Sequence, residues 1–516
     1  MLGEGVTIRR PDAKFGDYAV FAGAETAEVA EKLRTELGAD ANVTIAGGFV
    51  NITLSSEAVR FMTAEADAKG EDWGRAEKKE EKVMVEYTDP NPFKEMHIGH
   101  LMSNAIGEAI ARLVANTGAQ VVRANYQGDV GPHVAKALWG LKQVGTTEPT
   151  TASEIAQAYV AGNTAYEDNA EAKAEIDALN KAIYLGEDSA LMTLWSRGRE
   201  VSLAAFEEIY KRLGTKFDYY FFESETSKPG IEMVRDGLAK GIFEESEGAV
   251  IYKGEKKGLH TLVFITSKGT PTYEAKELGL AVLKEQRCSA NRSFVITATE
   301  QIGHFKVVKA ALEEVAPIVG AKTTHISHGF LRLTTGKMSS REGNVITAAQ
   351  FIKEVIEKAS EKNSDPLIAE QVAIGAIKYM ILRQAPGSDV IFDPEKSLSL
   401  EGDSGPYLQY ALVRASKILT YASENAGSTD EPAEPYAIER LILHYPEVVA
   451  RAARELSPNI LTTYLTELAG AWNALYAGEQ ILGSLEEAYK VRVARAFANT
   501  MVNGLTILGI PTPEKM

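Results

Sequence analysis

The chain has 516 residues, enough for two to four domains, and at 45% hydrophobic and 24% charged it has the make-up of an ordinary globular protein. Its single cysteine, Cys288, excludes an internal disulfide and a multi-cysteine zinc site. No apolar run is long enough to span a bilayer, and MLGEGVTIRRPDAK lacks the apolar core of a signal peptide, so a cytoplasmic protein with no membrane partner is expected. The net charge of −16 argues against a broad basic face but leaves room for a local nucleic-acid patch.

Residues 1–80 read as a small α+β domain. VTIRRP and ANVTIAGGFVNITL are strand-like, with the helical ETAEVAEKLRTELG between them. The charged EDWGRAEKKEEK (Glu71 to Lys82) then serves as a linker or exposed helix. VMVEY (Val83 to Tyr87) reads as a buried strand, MHIGHLMSNAIGEAIARL (Met96 to Leu113) as a helix stopped by Gly118, and AQVVRANY (Ala119 to Tyr126) as a second strand. Residues 150–215 are rich in Ala, Glu and Lys and read as a solvated helical insertion. GAVIYKG, LHTLVFIT and RSFVITAT then alternate with helical stretches, a pattern expected of a parallel sheet with crossover helices. Beyond about residue 350 strand signals nearly vanish and a helical bundle is expected, with ENAGSTDEPAEP as a loop.

Four segments carry chemistry. His97-Ile98-Gly99-His100 sits where a strand hands over to a helix N-terminus, and the free N–H groups and helix dipole there favour an anion. Two imidazoles can donate to phosphate oxygens, although either one alone is as commonly a cap or core residue, and small nucleotidyltransferases carry a similar pair. GKMSSREGN (Gly336 to Asn344) is a polar cationic loop able to close on a triphosphate, bringing Lys337 to the leaving pyrophosphate; in isolation it equally suits a surface turn. In TPTYEAKELG, Tyr273 and Glu277 stand four apart on one helix face, where a carboxylate beside a phenol suits a guanidinium. TATEQIGHFKVVKAAL (Thr297 to Leu312) ends a strand in a polar cluster, with Gln301 and Gly303 placed to meet a ribose or adenine.

With these segments in this order the chain is similar to the class I aminoacyl-tRNA synthetases, and among them it resembles the arginyl-tRNA synthetase family. VEYTDPNPFKEMHIGHLMSNAIGEAIARL, NYQGDVG, TPTYEAKE, EQIGHFKVVKAAL and GKMSSREGNVIT resemble that family's successive blocks. SGPYLQYALVRASKIL and VNGLTILGIPTPEKM resemble its anticodon-binding helical domain, and FGDYAVFAG its N-terminal extra domain. The resemblance implies an α/β fold: a Rossmann-like catalytic domain over 81–350, a small N-terminal α+β domain over 1–80, and an all-α anticodon-binding bundle over 351–516.

It also implies ATP-dependent attachment of L-arginine to tRNA(Arg) through arginyl-adenylate, with ATP as substrate, magnesium entering with it, no dedicated protein metal site, and a monomeric enzyme. By position, His97 and His100 are implied to stabilise the phosphates, Asn91 to hold the α-amino end, and Tyr273 and Glu277 to read the guanidinium, with Glu223 a further acid. Gly99, Gln301, His304, Met338 and Ser339 would meet ATP, and Lys337 the pyrophosphate. The family's second loop lysine is here Ser340; Lys94 is expected to replace that cation, with Arg341 the alternative. Glu277 stands where the family carries aspartate, and Asp89 where it carries a small hydroxyl residue. Residues 404–516 hold nine Lys/Arg against twelve Asp/Glu, so no broad basic anticodon face is expected there; Tyr407, Tyr410, Tyr464, Trp472 and Tyr476 could stack on unpaired bases, though most of them are expected to pack between helices.

Overall fold

The computed structural model describes residues 8–334, 346–422 and 430–516. At the N-terminus, strands β1 (Ile8–Arg9), β2 (Tyr18–Phe21), β3 (Ala41–Ala46) and β4 (Phe49–Leu54) pair antiparallel in the order β1-β2-β4-β3. Helices α1 (Thr26–Leu37) and α2 (Ser56–Lys69) accompany them, and Ser55 caps α2 by accepting from the Ala58 N–H. This unit docks on the C-terminal helices through ion pairs, Arg440 to Asp17 at 2.7 Å and Arg10 to Glu467 at 2.6 Å.

The central domain starts with β5 (Lys82–Glu86), α3 (Ile98–Asn116), β6 (Gln120–Gln127) and α4 (Pro132–Gln143). The insertion follows as three helices, α5 (Ala152–Asp168), α6 (Ala170–Leu185) and α7 (Ser189–Leu213), as its composition predicts. Next come β7 (Tyr219–Phe222), α8 (Glu223–Ala239), β8 (Glu244–Ser246), β9 (Ala249–Tyr252) and β10 (Leu262–Ile265). Then α9 (Tyr273–Arg287), β11 (Arg292–Ala298), α10 (Ile302–Val315), α11 (Pro317–Lys322) and β12 (Thr323–His328) complete the alternation.

Five strands form one parallel sheet in the order β12-β11-β5-β6-β7. The run of strands after residue 248 departs from expectation. GAVIYKG and LHTLVFIT form β9 and β10, which join β8 in a separate antiparallel sheet; only RSFVITAT enters the parallel one. The reason lies in the connections: β8–β9 and β9–β10 are joined by short links that allow an antiparallel return but not a helical crossover. The order of the five strands reverses between β5 and β11, and a crevice opens at the carboxyl ends of strands where such a reversal occurs.

β13 (Leu331–Leu333) pairs parallel with β14 (Val390–Phe392), on either side of α12 (Ala348–Ser360) and α13 (Pro366–Leu382). The C-terminal helices are α14 (Pro394–Ser397), α15 (Gly405–Tyr421), α16 (Ala437–Leu443), α17 (Tyr445–Arg454), α18 (Pro458–Gly478) and α19 (Glu487–Leu508). Trp472 is buried and stacks on Phe497 at 4.8 Å, and buried Tyr464 donates to the Leu441 carbonyl, so both pack helices as expected. Tyr410 and Tyr476 instead flank Arg414, whose guanidinium lies 4.4 and 5.1 Å from their rings.

The three parts meet at α3. Arg112 donates to Glu108 at 2.6 Å, to the Thr506 carbonyl near the end of α19 at 2.6 Å, and to the Gly214 carbonyl past α7 at 2.7 Å. Buried Lys378 of α13 donates to the Leu213 carbonyl at 2.6 Å. Two helix C-termini thus end on two cations, the pairing the helix dipole favours. No helix among the described residues is long and apolar enough to cross a membrane.

Candidate active site

The crevice at the strand reversal is a cleft with about 1140 Å³ of open space. Its lining includes Glu86, Asp89, Asn91, His97, Gly99, His100, Glu223, Tyr273, Glu277, Gln301 and Phe330, drawn from β5, α3, α8, α9 and the end of β11. Residues far apart in sequence are brought together as the motifs predict.

The histidine pair proves to be cap and site at once. His97 is the N-cap of α3: its Nδ1 accepts from the Gly99 N–H at 3.1 Å, while His100 Nδ1 accepts from the His97 N–H at 3.0 Å. Each Nδ1 is therefore unprotonated, and each neutral ring keeps its proton on Nε2 as a donor. Burial and Lys94 lower the His97 pKa; burial, His97 and His328 lower that of His100 well below the ordinary value. Two neutral imidazoles, 3.8 Å between centroids, thus present Nε2–H donors at the helix N-terminus.

The segment leading into them is strained and braced. Thr88, Asp89 and Phe93 have φ of 80°, 47° and 68°, which side chains other than glycine rarely adopt. Bonds from three elements hold them. The Thr88 N–H donates to Ser103 Oγ (2.9 Å), the Tyr126 N–H donates to Asp89 Oδ1 (2.8 Å), and the Phe93 N–H donates to Ser202 Oγ of α7 (3.0 Å). Asn91 faces the cleft across Gly128, where a Cβ would sit 2.3 Å from Asn91 Oδ1 and 3.2 Å from Glu223 Oε2. A side chain there would displace the Asn91 amide.

Carboxylates gather at the other end. Glu277 and Glu86 are buried, and Lys284, one α9 face further on, pairs with Glu86. Burial and the Glu86 charge push the Glu277 pKa up to about 7 against the pull of Lys284 and Tyr273. Burial and Glu86 likewise raise Asp89. Burial of the phenol and the Glu277 charge raise the Tyr273 pKa, so Tyr273 is a neutral donor against the carboxylate. The raised pKa values of Asp89 and Glu277 mark a place where a bound cation would favour the ionised acids.

Other predicted residues fall less simply. Glu223 is engaged by Lys276 at 2.6 Å, on the Asn91 side of the cleft rather than against Tyr273. Gln301 lines the cleft, but His304 stands behind Tyr273 (5.0 Å between rings), paired with Glu274 at 3.3 Å. Lys94 is not among the residues that line the cleft; its ammonium lies 4.8 Å from the Tyr159 ring centre. Lys337, Met338, Ser339, Ser340 and Arg341 lie outside the described residues. The chain that follows them is tied to the histidines: Ile98 N–H donates to the Ile346 carbonyl (3.3 Å) and Ala348 N–H to the Met96 carbonyl (2.7 Å). Glu86 was not singled out from sequence. Its only signal is a carboxylate closing an apolar strand.

Residues 64–394 match the profile described as tRNA synthetases class I (R), catalytic domain, and residues 408–516 the DALR anticodon binding domain. The chain belongs to the class I arginyl-tRNA synthetase family. The arginine–tRNA ligase of Treponema denticola is 31% identical over 471 residues, spanning 84% of this chain and 79% of that protein. That of Flavobacterium psychrophilum is 29% identical over 519 residues, spanning 92% and 86%. The Thermus thermophilus arginyl-tRNA synthetase structure superposes with a TM-score of 0.83 at 27% identity, covering 99% of this chain and 96% of that one. A Mycobacterium tuberculosis methionyl-tRNA synthetase bound to methionyl-adenylate shares the fold at a TM-score of 0.52 and 14% identity, covering 84% and 92%. This synthetase is an arginine–tRNA ligase that uses ATP to attach arginine to tRNA(Arg) through an aminoacyl-adenylate.

Proposed function

We propose that the cleft divides the labour between its two ends. Arginine lies with its guanidinium among Glu277, Tyr273 and Glu86, and its α-amino group toward Asn91 and Glu223. ATP lies with its adenosine along Gly99 and Gln301 and its phosphates against the Nε2 donors of His97 and His100. The observation that carries this reading is the pairing of a neutral donor pair at a helix N-terminus with an under-neutralised carboxylate cluster across one cleft.

In the first step an arginine carboxylate oxygen attacks the α-phosphorus and pyrophosphate leaves. Negative charge spreads over phosphate oxygens, so aimed donors help more than a general base. Lys337, with Met338 and Ser339, is assigned to the phosphates; the anchoring of residues 346 and 348 at Ile98 and Met96 supports that assignment. Lys94 supplies the second cation. In the second step a terminal ribose hydroxyl of tRNA attacks the acyl carbonyl and AMP leaves. Magnesium arrives on the ATP phosphates. We divide the chain at about residues 80 and 350, with the last part reading the anticodon and Tyr410 and Tyr476 offering stacking surfaces. The working unit is taken as a cytoplasmic monomer.

Charging of total tRNA with each labelled amino acid and ATP tests the specificity. Arginine alone should be attached; efficient charging with any other amino acid would overturn the assignment of the carboxylate end.

A further inference from the structure

We propose that Tyr159, in the helical insertion, is a positioning residue for adenylate formation: its ring holds the ammonium of Lys94, three residues before His97. The inference rests on the reading of Lys94 as the second phosphate cation. The Lys94 Nζ lies 4.8 Å from the centre of the Tyr159 ring. Among the described residues no carboxylate forms an ion pair with Lys94, while Glu223, Glu86 and Asp129 pair with Lys276, Lys284 and Arg199. That charge is felt on both sides, since it lowers the pKa of His97 in the cleft and of His133 on α4.

Both partners are held. The backbone at Lys94 is fixed by its N–H donating to the Asn91 carbonyl at 3.2 Å and by the left-handed Phe93 before it. Phe93 is fully buried against Gly198 of α7, where a Cβ would come within 2.3 Å of the Phe93 ring. Tyr159 is fixed because α5 lies in direct backbone contact with α4. A Cβ on Gly140 would meet the Ala158 carbonyl oxygen at 2.1 Å, and one on Gly162 would meet that of Lys136 at 2.0 Å. Ala158 is the neighbour of Tyr159, so two glycines set where that ring stands. A lysine has a long flexible stem, and an aromatic face restricts its charge without neutralising it, as a carboxylate would. The ammonium stays available to an incoming phosphate. The insertion so gains a role in the chemistry of a site it does not line.

The test is a double-mutant cycle read by tRNA-dependent ATP–pyrophosphate exchange. Tyr159→Leu should lower kcat by about 3- to 30-fold, the span of a cation–ring contact, with the KM for arginine within about twofold of wild type. Tyr159→Phe keeps the ring face and should stay near the wild-type rate. Tyr159→Met, closer in volume, repeats the loss should the leucine variant fold poorly. The double variant Lys94→Met/Tyr159→Leu should be no slower than Lys94→Met alone. A Lys94→Met enzyme that is slow, with Tyr159→Leu and Tyr159→Met at wild-type rate or with losses that multiply in the double variant, would overturn the role of Tyr159 and leave that of Lys94 standing. A Lys94→Met enzyme at wild-type rate would overturn both.

Discussion

Replacing Glu277 by Gln should change the pH dependence of arginine use and of stability in opposite senses. The guanidinium stays charged across the accessible range, so the pH dependence of its capture comes from the acids that receive it. Glu277 is held at a pKa of about 7 by burial and the Glu86 charge, with Lys284, Tyr273 and His304 opposing them. At saturating ATP and tRNA, kcat/KM for arginine should therefore rise about tenfold per pH unit below about 6.5 and level off above about 7.5. Glu277→Gln should flatten that slope. At pH 8 it should lower kcat/KM by roughly 10- to 150-fold, the worth of a charge-assisted bond of about 1.5–3 kcal/mol.

The stability effect follows from the same shift. A carboxyl raised from 4.5 to about 7 binds its proton more tightly folded than unfolded. Its penalty is absent below pH 4.5, grows through the interval, and is complete above pH 7. At about 1.4 kcal/mol per unit it reaches roughly 3 kcal/mol. Glu277→Gln should thus gain thermal stability over wild type between pH 5 and pH 8, and arginine should raise the melting temperature of wild type far more than that of the variant. Steady-state aminoacylation with labelled arginine from pH 5.5 to 9, beside thermal melts, reads both. A wild-type profile flat from pH 6 to 8, or a Gln variant that keeps the slope, would refute the placing of the guanidinium at Glu277.

Further outcomes follow from neighbouring groups. His97→Ala should lose both a phosphate donor and the cap of α3, slowing pyrophosphate exchange about 100- to 1000-fold and costing about 1 kcal/mol of stability; His97→Asn should restore the stability but not the rate. Gly128→Ala would force a Cβ within 2.3 Å of Asn91 Oδ1, and should raise the KM for arginine at least tenfold while leaving the KM for ATP within about twofold, measured by exchange kinetics. Glu108, held to a pKa of about 2 against its burial by Arg123, Arg112 and Tyr87, stabilises the fold by roughly 3 kcal/mol above pH 4.5, and that stability is lost as pH falls toward 2. Glu108→Gln should accordingly melt well below wild type at pH 7 and close to it near pH 2.

The motifs that read clearly in sequence are those whose geometry is local. The helix start at His97, the Tyr273/Glu277 spacing and the three insertion helices depend on neighbours within a few turns, and each stands where its pattern places it. The strands of residues 249–265 misled because their apolar content is that of a parallel sheet, while the short links between them enforce an antiparallel return. Lys94 was legible as a charge but not as a direction. What turns its stem is Tyr159, sixty-five residues on, and nothing between the two in sequence signals the contact.

The charged core makes the same point in energetic terms. Glu86 and Glu108 both look like carboxylates interrupting apolar elements, and both are buried at 2% exposure. Their surroundings part them. Glu108 meets two arginines and a phenol, which outweigh its desolvation and make it an asset to the fold. Glu86 meets one lysine, and that lysine must also serve Glu277, so the pair of acids is left short of one positive charge. The chain alone meets that deficit by protonation, which is what the raised pKa of Glu277 expresses, and the cleft opens on that side. On the proposed reading arginine supplies that cation, and its binding should favour the ionised form of Glu277 and so offset the cost of burying it.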